Sequence, residues 1–84
     1  MICPVCGNET FDNEDYLYEI CPECFWEYDS LQVSEPDRPR GANTVSLNDY
    51  RKIYQKLRNE NPNFSCRNQD DMERILSVVN GDCD

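Results

Sequence analysis

The residues of this 84-residue chain that could do chemistry are its six cysteines, and they act without a single histidine. Four of them fall into two C-x2-C turns, Cys3-Pro4-Val5-Cys6 and Cys21-Pro22-Glu23-Cys24, with fourteen residues between the turns. Zinc takes four tetrahedral ligands, and thiolates satisfy its borderline-soft character at a Zn–S distance of about 2.3 Å. Each turn supplies two sulfurs, so Cys3, Cys6, Cys21 and Cys24 together would enclose one ion per chain. The interval is one residue shorter than is usual for such paired motifs, and a hairpin spans it. Pro4 and Pro22 restrict the turns, while Gly7 can take the positive φ that such turns often need. The expected cofactor is one structural Zn2+. Ser-His-Asp and Cys-His catalysis are excluded without histidine. Four thiolates also leave no open position for a hydrolytic water, so no enzymatic activity is expected.

Two other chemistries use the same residues. A dithiol redox centre is the first, since C-P-x-C occurs in redox enzymes. Such centres usually lower one thiol's pKa with a helix N-terminus, and here flanking carboxylates would raise it. Rubredoxin-like iron is the second, although rubredoxins separate their two turns by a longer interval. Cys66 and Cys83 lie outside both turns and flank the last helix. They are expected to be free, partly buried thiols, with a disulfide as the alternative.

The length allows one small domain, 1–84. Only 38% of residues are hydrophobic and 30% are charged, so a core of apolar side chains alone would be marginal and a staple is expected. The module that must position the cysteines is read over 1–29. Asp12 to Asp15 suit a turn, Tyr16 to Ile20 a strand, and Phe25 to Tyr28 a further strand. Residues 30–45, with Pro36, Pro39 and Gly41, read as an irregular connection.

A helix follows over 46–60. Ser46 is its N-cap, Asp49 stands three residues on, and Val45 and Tyr50 occupy the staple positions. Leu47, Tyr50, Ile53, Tyr54 and Leu57 share one face. The helix ends before Pro62, which disfavours helical angles in the residue preceding it. A second helix over 68–80 groups Met72, Ile75, Leu76 and Val79, and Asn80-Gly81 ends it. The fold class expected is α+β: a small β module followed by two C-terminal helices. Phe25, Trp26, Tyr28, Tyr16 and Tyr18 are expected to pack between module and helix, the alternative being an exposed aromatic platform.

Charge is unevenly placed along the chain. Met1 to Asp37 holds ten acidic residues and no basic one, Arg38 to Asn68 balances at about +5, and Gln69 to Asp84 at about -4. The total is -9, and four thiolates with one Zn2+ would take it to about -11. An acidic surface argues against a phosphate backbone as the main partner. Arg51, Lys52, Lys56 and Arg58, with Arg38 and Arg40, nonetheless form a basic stretch that could meet nucleic acid. No secretory signal and no apolar run of about 18 residues is present, so a cytoplasmic protein with no membrane partner is expected.

Several blocks together resemble the bacterial cysteine-rich CPCC family. These are Cys3-Pro4-Val5-Cys6-Gly7, then Tyr18 to Glu27 with its F-W-E run, then Gly41-Ala42-Asn43 and Val45-Ser46-Leu47. The resemblance covers roughly Ile2 to Tyr54 and implies a zinc-ribbon-like module with the four cysteines as ligands. Val5 departs from the pattern, because the family name comes from adjacent cysteines in the first turn. The outer pair suffices for the metal. The resemblance implies a fold and a ligand set, and no activity.

The function expected is therefore that of a small zinc-binding protein whose acidic surface selects a basic protein partner, of inhibitor, immunity or adaptor type. Nucleic-acid binding through helix 51–58 and thiol redox chemistry are the alternatives.

Overall fold

The two cysteine turns are built alike. Ile2 to Glu9 and Ile20 to Glu27 carry Ile, Cys, Pro, Cys and Glu at matching positions. In a computed structural model, which describes residues 2–10 and 19–80, they fold alike too. Cys3 N–H donates to the Asn8 carbonyl at 2.8 Å and Gly7 N–H to the Cys3 carbonyl at 3.0 Å. Cys21 N–H donates to Trp26 at 2.9 Å and Phe25 N–H to Cys21 at 2.8 Å. Each turn ends in a single antiparallel bridge, Ile2 with Glu9 and Ile20 with Glu27. The fourth position past the first cysteine has positive φ in both, 76° at Gly7 and 65° at Phe25.

A Cβ on Gly7 would meet nothing within 4 Å. Gly7→Ala should therefore cost about 1 kcal/mol through backbone conformation alone. A urea titration checks this, and an unchanged midpoint would show that the turn does not require the left-handed residue.

The α+β expectation is corrected here. The described residues are mostly helical and contain no β-strand or sheet, only the two bridges and three helices. The reason lies at Glu27. An additional strand would have to pair with its outward N–H and C=O, but the side-chain amide of Asn43 takes both. Glu27 N–H donates to Asn43 Oδ1 at 3.0 Å, and Asn43 Nδ2 donates to the Glu27 carbonyl at 2.7 Å. Two residues later Asp29 caps a helix and the extended path ends. The expected strand Phe25 to Tyr28 is thus one bridge and a left-handed residue. The expected turn over 12–15 and the residues Tyr16 to Tyr18 lie outside the described residues.

The connection 30–45 also differs from its expected irregularity, because it opens with α1, Ser30–Ser34. Asp29 Oδ1 accepts from Leu31 and Gln32 N–H, and Oδ2 accepts from Ala42 N–H at 2.9 Å. The Ala42 bond leads in holding the Asp29 carboxyl below its ordinary range, against the opposing effect of burial. Gln32 is fully buried: its Nε2 donates to the carbonyls of Arg38, Asn43 and Val45, and its Oε1 accepts from Asn43. A Cβ on Gly41 would stand 2.6 Å from Asp29 Oδ2 and 2.9 Å from Gln32 Cδ, so any side chain there must push these two out of their hydrogen bonds.

The helices expected over 46–60 and 68–80 are α2, Leu47–Glu60, and α3, Gln69–Val79. Ser46 Oγ accepts from Asp49 N–H at 3.1 Å, and Asn61 before Pro62 is extended. Asn68 caps α3, with Asp70 and Asp71 in the first turn where the helix dipole favours them. Asn80 is the C-cap, and Gly81 lies outside the described residues. Leu47, Tyr50, Tyr54 and Leu57 are buried and Ile53 is partly so; Ile75 and Val79 are buried, with Met72 and Leu76 at the edge. α2 and α3 pack together, and Phe64 in their connection meets Tyr54 edge-on at 6.0 Å.

Candidate metal centre

Cys3, Cys6, Cys21 and Cys24 come together, all four sulfurs within 4.8 Å of one another. The closest approaches cross between the turns: Cys3 Sγ to Cys24 Sγ is 3.5 Å and Cys6 Sγ to Cys21 Sγ is 3.6 Å. None is in a disulfide. A tetrahedron with metal–sulfur bonds of about 2.3 Å has edges of about 3.8 Å. The donor set is therefore of a size that could hold a soft-ligated metal ion. Cys3, Cys21 and Cys24 are buried, while Cys6 borders an open polar cleft of about 600 Å³ that Thr10, Glu23, Tyr54, Arg58 and Arg67 also line.

One turn of α2 touches both cysteine turns. Tyr50 Oη donates to the Cys24 carbonyl at 2.6 Å, and Arg51 Nε donates to the Pro4 carbonyl at 2.7 Å. Trp26, fully buried, presents its ring to Tyr50 edge-on at 5.2 Å and 79°. Burial pushes the Tyr50 hydroxyl well above its ordinary pKa, so it stays a donor. With Trp26 enclosed and Phe25 and Tyr28 packed against the core, these three cover the site instead of forming an exposed platform. Tyr16 and Tyr18 lie outside the described residues.

The sulfurs disturb one another strongly. The hydrogen bond from Cys24 draws the Cys21 thiol far down, with help from Thr10 Oγ1 at 3.0 Å, while Cys21 drives Cys24 and Cys3 far up. Cys6 comes to about 7, where Cys21 raises it and the bonds of Cys24 and Cys3 outweigh that. Four thiols so close share protons unequally, because ionising one opposes ionising the next. A divalent cation removes that opposition. Val5 N–H also faces Cys3 Sγ at 3.4 Å, a backbone dipole turned toward charge on sulfur.

Cys66 is buried, free and apart from the cluster of four. Burial first, then the charge on Cys21, pushes its thiol up to about 12. Cys83 lies outside the described residues. Of the basic stretch, Arg40, Arg51, Lys52 and Lys56 are exposed, Arg51 also donating to the Pro4 carbonyl, and Arg58 is partly buried and donates to the Phe64 carbonyl at 3.1 Å. Arg38 pairs with Glu35 at 3.4 Å. Sequence reasoning did not find Thr10, Glu23, Gln32 or Asn43 as partners of the site or its support. Polar residues meeting across the chain leave no periodic mark, and only the G-A-N block hinted at Asn43.

A family model described as Cysteine-rich CPCC matches residues 1–73. Among the curated proteins, none matches the chain. No helix of the described residues is long and apolar enough to cross a membrane.

Proposed function

The chain belongs to the cysteine-rich CPCC family, and from its cluster of four sulfurs we propose that it is a non-enzymatic protein built around one structural Zn2+, with an acidic surface that binds a basic protein partner. The single observation that carries the metal half is the crossed, tetrahedron-sized set of cysteine sulfurs, three of them buried. All-thiolate donors favour zinc over harder cations, and a set filled by four protein ligands has no position left for substrate or water. The residues hold and enclose the ion; it supplies charge neutralisation and cross-linking.

The partner half rests on charge. The first 37 residues carry ten carboxylates and no cation, and a four-thiolate zinc site adds to that sign. The cations exposed on α2 are Arg51, Lys52 and Lys56, of which Arg51 also donates to the Pro4 carbonyl, while Arg58 is partly buried against the Phe64 carbonyl. Nucleic acid is the second reading, because ten carboxylates in the same small chain oppose a phosphate backbone at those cations. Thiol redox chemistry comes third: Cys6 alone borders the open cleft, and the three sulfurs it could exchange with are enclosed beside it.

Native mass spectrometry of the reduced chain should find one zinc per chain, with all four cysteines protected from alkylation. Crosslinking in the host cell should capture a basic protein, and the capture should fade as salt rises. A metal-free chain with open thiols would overturn the zinc reading. A shift with DNA or RNA that persists at moderate salt would replace the protein partner with nucleic acid.

A further inference from the structure

The second cysteine turn holds a carboxylate that metal binding does not use. Glu23 stands between Pro22 and Cys24, where the first turn has Val5. Three consecutive residues of the α2–α3 connection fasten onto it. Ser65 Oγ donates to Glu23 Oε2 at 2.9 Å, Arg67 Nε donates to Glu23 Oε1, and Cys66 N–H donates to the Glu23 carbonyl at 2.9 Å. The Glu23 side chain is 19% exposed and Arg67 is 60% exposed, so the Ser65 bond is partly desolvated while the Arg67 pair closes the contact from the solvent side.

From Glu23 the hydrogen bonds continue to the start of α3. Ser65 N–H donates to Asp71 Oδ2 at 3.3 Å, Arg67 N–H to Ser65 Oγ at 3.3 Å, and Asn68 N–H to the Ser65 carbonyl at 3.0 Å. Asn68 in turn caps α3 by accepting from Asp70 N–H. The buried thiol of Cys66 lies in the middle of this turn. The Glu23 backbone takes its direction from Cys21 and Cys24 on either side, so whatever fixes those two sulfurs also fixes the acceptor that Ser65, Cys66 and Arg67 need.

We propose that Glu23 is a latch joining the metal-holding turn to the Ser65–Arg67 turn, so that filling of the four-sulfur site and closure over Cys66 at the foot of α3 favour one another. The inference rests on the metal reading above. Because such coupling is reciprocal, a latch that metal closes is also a latch that retains metal. Partners that orient a metal-holding group commonly change affinity ten- to a hundredfold when removed, and the latch should fall in about that range.

The test uses the full chain loaded with one Zn2+, its Glu23→Ala variant, and a Ser65→Ala/Arg67→Ala variant that leaves the cysteine turn untouched. Iodoacetamide labelling with peptide mapping reads Cys66 and the four ligand cysteines separately, and a colorimetric chelator reads zinc retention. In both loaded variants the four ligands should stay protected, while Cys66 labels about tenfold faster and zinc is retained about tenfold less tightly. Should Glu23→Ala fail to fold, the double variant decides. Loaded variants with wild-type Cys66 labelling and wild-type zinc retention would overturn the latch while leaving the zinc reading intact. A wild-type chain that takes up no zinc would overturn both.

Discussion

Stripping the metal from the reduced chain should abolish its cooperative unfolding. Cys3, Cys21 and Cys24 are part of the core itself, 1%, 0% and 0% exposed, beside Trp26 and Tyr50. Without a cation, those sulfurs are either buried charges or thiols crowded to 3.5 Å with no disulfide between them. Binding of a structural zinc is worth on the order of 10–16 kcal/mol in small domains, against a typical folding stability of about 5–15 kcal/mol. The apo chain should then lose the near-UV circular dichroism of Trp26 and Tyr50, and Cys24→Ser should behave like the stripped protein. Cys66→Ser, outside the cluster, should keep a cooperative transition. Scanning calorimetry with and without chelator under reducing conditions measures this; the same melting curve in both would refute a structural role for the metal.

Asn43→Ala should be as damaging as truncating a large core side chain. Asn43 is 8% exposed, and its amide serves Glu27 N–H, the Glu27 carbonyl and Gln32 Oε1 at once. Truncation leaves the Glu27 N–H and carbonyl without partners, each costing about 1–3 kcal/mol when buried, and takes one of its two Asn43 donors from Gln32 Oε1. A loss of about 3–5 kcal/mol follows, which for a domain of this size lowers the melting midpoint by well over 10 °C. Gly41→Ala should act in the same direction, because its Cβ would displace Asp29 and Gln32 from the same network. Asn59→Ala, at an exposed position of α2, serves as the control and should stay within about 0.5 kcal/mol. A loss under 1 kcal/mol for Asn43→Ala would mean that water replaces the amide, and that the network does not hold residues 30–45 to the second cysteine turn.

The four sulfurs were legible because their chemistry is local in sequence. A C-x2-C turn puts two donors within one turn, and two such turns have few ways to be near each other except around a shared ion. α2 and α3 were legible for a related reason. Ser46 and Asn68 lie at the cap positions, and the spacing of Leu47, Tyr50, Tyr54 and Leu57, or of Ile75 and Val79, repeats with the helix itself.

The β module was misread because strand-favouring side chains describe what could pair, not what does. Trp26 and Tyr28 have strand propensity, yet the outward backbone of Glu27 bonds to an amide sixteen residues away. Of residues 30–45 only the opening helix Ser30–Ser34 was missed, because Asp29 and Gln32 supply a cap and a buried hub that composition does not reveal.

By itself, then, the sequence determined which four cysteines come together, two helices with their caps, and an acidic first third. Each of these depends on neighbours within one turn or on summed charge. Only the tertiary structure decided that Trp26 is enclosed, that Tyr50 and Arg51 reach one cysteine turn each, and that Glu23 holds a turn more than forty residues away. Contacts of that kind join single polar atoms across long chain separations. They follow no period, and they exist only once the chain has folded to bring them within about 3 Å.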